Sequence, residues 1–326
     1  MRRSYLLFAA LLALPFVHGA EPAAPTLAEA HELFTARRDA EAQAAFERIL
    51  AADPANHEAV YHLGRLAKRR GDWKTTAARY EQCTQLAPTV ALYWADLGEA
   101  YGKLATQASI FQKLGFARKC CAALETSVEA APDNLEYRHG LIGYYEQAPG
   151  IAGGGRDKAL AQAAEIAKYD PFAGALTTGS IQAHAERWTE AETAFHAAAQ
   201  LRPSAAEPLA ALGLLYADRG RHAEAFVQFD RLLALKPDDF AALYQLGRVA
   251  ALSGQRLADG AAALRRYLAQ TNLPAELPRP QHAHYRLGQI LARQGDSAAA
   301  KAAFAAALQL DPQFKDAAAE LKKLQP

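Results

Sequence analysis

The chain has 326 residues, with 36 Lys and Arg against 35 Asp and Glu, giving a formal net charge of +1. That balance excludes the basic footprint of a nucleic-acid binder. The wealth of Ala, Leu and Gln and the single Met favour helices over strands.

Residues 1–20 read as a secretory leader. "MRRS" is basic, "YLLFAALLALPFV" is apolar but too short to span a bilayer, and "HGA" supplies a small-residue end, with cleavage expected after Gly19 or Ala20. Residues 21–26 form a short linker. The remaining chain carries 34 basic and 35 acidic residues and no further apolar run of eighteen, so no membrane span is expected. The leader implies export, with a bacterial periplasm as the expected compartment and secretion as the alternative.

From residue 27 one pattern recurs. It opens half-matched in Leu33, Ala42, Phe46, Ile49 and Pro54, and continues in Val60, Leu63, Gly64, Thr76, Tyr80, Cys83 and Pro88. It returns in Trp94, Leu97, Gly98, Tyr101, Cys120, Leu124 and Pro132, and then in Leu141, Tyr145, Ala159, Ile166 and Pro171. Gly179, Ala191, Phe195 and Pro203 follow, and the clearest copy is Leu209, Leu212, Gly213, Tyr216, Ala225, Phe229 and Pro237. Leu243, Leu246, Gly247 and Leu264 mark the next copy, and Leu287, Gly288, Leu291, Ala300, Phe304 and Pro312 the last. In each, one helix presents an apolar stripe with a glycine that admits its partner, the second helix faces it, and a proline marks the exit.

This pattern closely resembles the tetratricopeptide repeat. The resemblance implies an all-α, right-handed α-solenoid of about eight helix-turn-helix repeats forming one domain over 27–326. The repeats fall near 27–56, 57–90, 91–134, 135–171, 172–205, 206–239, 240–274 and 281–314, and residues 315–326 cap the end. "PGIAGGGRDKA", a long insertion in the preceding repeat and "GAAALRRYLA" together look like a subgroup of exported bacterial members.

The repeat pattern absorbs most residues that suggest chemistry. Trp73, Trp94 and Trp188 occupy packing positions. Cys83 and Cys120 stand where small residues face the other helix, which argues against a bridge between them, while Cys121 is the thiol expected to be more exposed. "HEAVYH" spaces His57 and His62 five apart, so the rings diverge on a helix and do not form the zinc-protease pair. No catalytic, metal-binding or cofactor-binding set emerges, and the chain reads as non-enzymatic.

The resemblance further implies a groove lined by the first helices of successive repeats, used for a peptide or a partner's helix. At groove positions stand Tyr61, Arg65, Lys68, Arg69 and Lys103 toward one end and Tyr244, Arg248, Tyr285 and Arg293 toward the other, with a bland centre. They fit a protein or peptide partner with acidic character. The resulting expectation is a cell-envelope scaffold or adaptor. The alternative is an accessory factor in cell-wall or polysaccharide assembly or transport that holds a glycan or an enzyme.

Two repeats are enlarged in the turn between their helices. Around 105–115, "ATQASIFQKLGFARK" is expected to lengthen the helices and pack its apolar residues on a neighbour. Around 147–158, "QAPGIAGGGRDKA" has the glycine spacing of a phosphate loop, but Arg156 and Asp157 replace the lysine and hydroxyl, and a helix precedes it. It reads instead as a tight reversal in which Asp157 caps the next helix. Gly150, Ile151, Gly153, Gly154, Gly155 and Arg156 are candidates for an edge that contacts a partner. "TNLPAELPRPQ" reads as a stiff, extended loop.

Overall fold

The computed structural model describes residues 25–324. The expected leader over 1–20 therefore lies outside the described residues, as do 21–24 and the last two residues of the expected cap. Among the described residues there are seventeen α-helices, one 3-10 turn and no strand. The chain divides into two compact units, one through Ala130 and one from Ala131.

The first unit holds three helix pairs: α1 (Leu27–Thr35) with α2 (Asp39–Ala52), α3 (His57–Arg69) with α4 (Trp73–Leu86), and α5 (Ala91–Gln107) with α6 (Ile110–Ala130). Thr26 opens α1 in a capping box with Glu29. The core around Phe34, Phe46, Ile49, Leu63 and Leu66 joins α1, α2 and α3, and α4 continues the stack onto α5.

The second unit holds five pairs and a closing helix. These are α7 (Leu135–Gln147) with α8 (Arg156–Tyr169), α9 (Pro171–His184) with α10 (Trp188–Leu201), and α11 (Ala206–Asp218) with α12 (His222–Leu235). They continue as α13 (Phe240–Ser253) with α14 (Leu257–Leu268), α15 (Pro280–Arg293) with α16 (Ser297–Leu310), and finally α17 (Lys315–Lys323). One continuous core runs from Ala191 to Phe304.

The helix starts follow from local chemistry. Asn56, Asp72, Asn134, Asp239 and Asp296 each accept a hydrogen bond from a backbone N–H three residues on, which satisfies a donor with no partner inside the helix. Asp170 ends α8 and also caps α9, accepting from the N–H groups of Phe172 and Ala173, so these two helices share a single joint residue. Within a pair, a glycine of the first helix receives a bulky side chain of the second. A Cβ on Gly213 would stand 2.6 Å from the Phe229 ring, and one on Gly64 or Gly288 equally close to Tyr80 or Phe304.

Several expectations need correcting. Helices α5 and α6 are lengthened, but Ile110 and Phe111 at their junction do not pack: they are 80% and 93% exposed. The helix axis carries these two side chains past the last residues able to cover them. Cys121 is buried, as are Cys83 and Cys120, because it turns into the α6 packing face and contacts Glu125. Asp157 is not a cap. Gly155 takes the position before α8, and Asp157 lies in its first turn without a capping bond. Residues 271–281 are not extended: Leu273 and Leu277 pack on the core, and the Leu277 N–H donates to the Pro274 carbonyl at 3.1 Å. Tyr267 donates its hydroxyl proton to the Pro278 carbonyl and pins the turn.

Candidate functional site: the faces of the first helices

In the first unit α1, α3 and α5 present a shared face. Tyr61 on α3 donates to Asp96 Oδ2 on α5 at 2.7 Å and lies with its ring centroid 5.0 Å from Tyr93 and 5.5 Å from Tyr80. Burial, and then the Asp96 carboxylate, push the Tyr61 hydroxyl well above its ordinary range, so it is a fixed donor. Lys68 reaches Glu99 at 2.6 Å and Asp96 at 3.7 Å. Arg69 lies 3.6 Å from the Phe34 ring centre and bonds both Asp39 and the Phe34 carbonyl. Arg65 stacks at 4.7 Å on Phe34 and 5.7 Å on Tyr61, with no carboxylate paired to it among the described residues. Lys103 sits 6.0 Å from the Trp73 ring centre.

The two histidines of "HEAVYH" go to different places. His57 Nδ1 lies 2.8 Å from the Tyr93 hydroxyl. His62 is buried, stacked on Phe46 at 4.9 Å with an interplanar angle of 4°, and edged by Phe34 and His31. Among the described residues no group of three His, Cys, Asp or Glu side chains is placed to hold a metal ion. Burial lifts the Cys83 and Cys120 thiols to about 12, which removes them as nucleophiles.

In the second unit the other groove candidates are also engaged within the chain. Tyr244 is buried against Tyr267, and Arg248 reaches Asp218 at 3.0 Å. Tyr285 lies tilted between Phe304 and Phe314 and accepts from Gln289. Arg293 packs against the backbone at Gly254 and reaches the Leu252 carbonyl at 3.5 Å.

The open feature of this unit lies between α7 and α9. A slot of about 370 Å³ is floored by Ile142, Leu176 and Ile181. At one end His139 Nε2 lies 3.3 Å from Thr177 Oγ1, and at the other His184 Nδ1 lies 3.0 Å from Glu146 Oε1. Seven residues separate His139 from Glu146, roughly 10 Å along the helix. Gly140 and Gly143 on α7 have open space where a Cβ would point. Glycine inside a helix costs stability relative to alanine, and no neighbour here requires it. The sequence carried that signal, two mid-helix glycines outside the repeat pattern, but it gave no sign that Gly143 shares a slot with Ile142 and Leu176.

The glycine turn is a closed structure. A 3-10 turn, Gly150–Ala152, leads into Gly153 at φ 95°, a left-handed conformation, and Ala152 is buried. Gly153, Gly154 and Gly155 donate their N–H groups to the carbonyls of Gly150, Pro149 and Tyr145 at 2.9, 3.3 and 2.8 Å. All three donors that a phosphate would need are therefore occupied. Lys158 bonds the Gly153 carbonyl at 2.9 Å, and Tyr144 donates to the Ala152 carbonyl at 2.7 Å. Ile151 is left 70% exposed on the outside, and Arg156 stands 3.8 Å from Asp157.

With helix pairs, packing glycines and stacked first helices in place, the class is that of an all-α repeat stack. Tetratricopeptide-repeat models match residues 27–87, 176–239 and 211–274, and another matches 281–314, together more than half of the chain. The chain belongs to the tetratricopeptide-repeat family. No curated protein matches it in sequence. Among solved structures, a tetratricopeptide repeat protein from Parabacteroides merdae ATCC 43184 is 14% identical at a TM-score of 0.50, covering 82% of this chain and 98% of that one. The Cut9–Hcn1 hetero-tetramer of the APC/C is 16% identical at 0.50, covering 92% of this chain and 55% of that one. YrrB, described as a TPR protein with an unusual peptide-binding site, is 16% identical at 0.39 and covers 61% of this chain and 95% of that one. At these identities the likeness concerns the fold alone. Proteins of this family generally mediate protein–protein or peptide interactions.

Proposed function

We propose that the chain is a non-enzymatic adaptor that takes a segment of a partner protein on the face of its first helices, with the α7–α9 slot as the principal contact. One observation carries this reading: Gly143 opens onto an apolar slot that has a polar pair at each end. An apolar floor with a few fixed polar groups is what a peptide or helix side chain needs for affinity and orientation. The leader-like sequence of residues 1–20 supports the cell envelope as the working compartment. A photo-crosslinking residue at Gly143 should capture a defined partner that the same probe at Val227, exposed on α12, does not. Gly143→Phe, whose Cβ enters open space and whose ring would occupy the slot, should abolish a capture monitored from His139. Equal capture at Val227, or capture that survives Gly143→Phe, would remove the slot from the reading.

A second reading, an acidic partner held in the first unit, is favoured by Arg65, whose guanidinium is stacked but has no ion pair among the described residues. Arg65→Ala would then weaken capture while Gly143→Phe left it intact.

A further inference from the structure

The tip of the α5–α6 hairpin is a feature of the first unit that the groove reading does not use. α5 has 17 residues and α6 has 21, against 13 and 14 in α3 and α4, so the hairpin runs on by one to two turns. Its stem is packed: Gly98 receives Leu124, and Phe116 lies with its ring centre 6.3 Å from that of Tyr101. Its tip is not, and it carries Ile110 and Phe111 side by side, 80% and 93% exposed. A phenylalanine and an isoleucine adjacent at a protruding turn, with nothing over them, are an exposed apolar feature that calls for a cover.

Charge identifies that cover. Between Glu99 and Glu125 there is no acidic residue, while Lys103, Lys113, Arg118 and Lys119 supply four cations. Lys119 faces Glu81 at 3.4 Å in an exposed pair, and Lys113 is exposed one turn from the tip. The tip itself, Thr106 to Gln112, is otherwise neutral and polar, and the N-terminal end of the long α6 adds the positive pole of its dipole beside Ile110. Apolar side chains at the point of a turn with a cationic collar behind them match the layered chemistry of an anionic bilayer surface, hydrocarbon inside and phosphate outside. No helix among the described residues is long and apolar enough to cross a membrane, so such an attachment would be peripheral.

We propose that the α5–α6 tip docks on an anionic lipid surface, sinking Ile110 and Phe111 into the headgroup boundary while Lys113 and the cations behind it face the lipid phosphates. The test is co-sedimentation of residues 21–326, which contain all seventeen helices, with vesicles of phosphatidylcholine mixed with phosphatidylglycerol and with phosphatidylcholine alone. Residues 1–20 are omitted because an apolar leader would itself partition into the vesicles. The mixed vesicles should retain the protein, and phosphatidylcholine alone should retain far less. Phe111→Asp should lower partition by about tenfold or more, and Lys113→Glu by several-fold. Both positions are exposed, so far-ultraviolet circular dichroism should be unchanged, and Gly143→Phe should leave vesicle binding as it is. Failure to bind mixed vesicles, binding unaffected by Phe111→Asp, or loss of binding in Gly143→Phe would each overturn the assignment. So would a concentration-dependent dimer, seen without lipid and dissolved by Phe111→Asp, because the tip would then be covered by a second copy.

Discussion

Glycines in this chain serve two opposite ends, and substitution separates them. Gly213 exists because the Phe229 ring needs the space, with a Cβ meeting it at 2.6 Å, so Gly213→Ala should destabilise by roughly 1–3 kcal/mol through overpacking. Gly140 and Gly143 have no such neighbour, and alanine at either should stabilise by roughly 0.5–1 kcal/mol. Thermal unfolding of the three variants should move in those two directions; a loss of stability at Gly143→Ala would mean that the slot is occupied by the chain itself. His62 gives a second, pH-linked expectation. Burial, and then Arg65, His31 and Arg69 around it, push its imidazole down to about 4, and Tyr61 and the Phe34 and Phe46 rings complete the enclosure. The unfolded chain, with an ordinary histidine near 6.5, then binds the extra proton between these values. Stability from this site is therefore complete above about 6.5 and is lost as pH falls toward about 4, by something on the order of 2 kcal/mol. Urea unfolding of wild type and His62→Phe at several pH values should show a slope that the variant lacks.

The enlarged turns show how a short stretch of backbone can be closed or open to the same solvent. In Gly150–Gly155 the chain satisfies its own donors, and Gly154 is fixed by contact: a Cβ there would stand 1.8 Å from the Ala148 carbonyl oxygen. Gly154→Ala should force the turn apart, and hydrogen exchange should show the amides of residues 153–155 losing protection while α7 and α8 keep theirs. Protection unchanged by the substitution would contradict the closed turn. The helix pairs themselves were legible in the sequence because the 3.6-residue period sets which side chains meet within a pair: Gly64 with Tyr80 and Gly288 with Phe304 needed only the spacing. What was not legible depends on stacking between pairs or on where a helix begins. Ile110 and Phe111 have the composition of a packed turn, yet the lengthened helices carry them beyond any cover. Asp157 has the chemistry of a cap, yet α8 starts two residues too early for it to serve as one. The Tyr61 and Lys68 contacts reach across to α5, and no pattern within their own repeat specifies that distance.

Near-neutrality, which at first only excluded polyanions, acquires a structural meaning from where the charges meet. Arg69 with Asp39, Lys68 with Glu99, Arg202 with Asp170, Arg221 with Glu192, Arg248 with Asp218 and Arg256 with Asp230 join residues 26 to 32 apart, the spacing of one repeat. The chain thus directs its long cations to the neighbouring repeat and leaves little charge for a ligand on the groove face. Most of these pairs are partly exposed and individually weak, so they align neighbours more than they stabilise them. A consequence follows for the two proposed surfaces. Capture in the α7–α9 slot rests on apolar contact and short polar bonds, and raising salt from about 0.1 M to 1 M, which contracts the screening length from about 10 Å to 3 Å, should change it little. Retention on anionic vesicles through the α5–α6 tip should fall steeply over the same range, because the cations of the collar act through long-range attraction to many headgroups. Parallel titrations of the two activities on one preparation would separate the surfaces. A slot capture that collapses with salt would instead mean that charged groups, not the apolar floor, carry the binding.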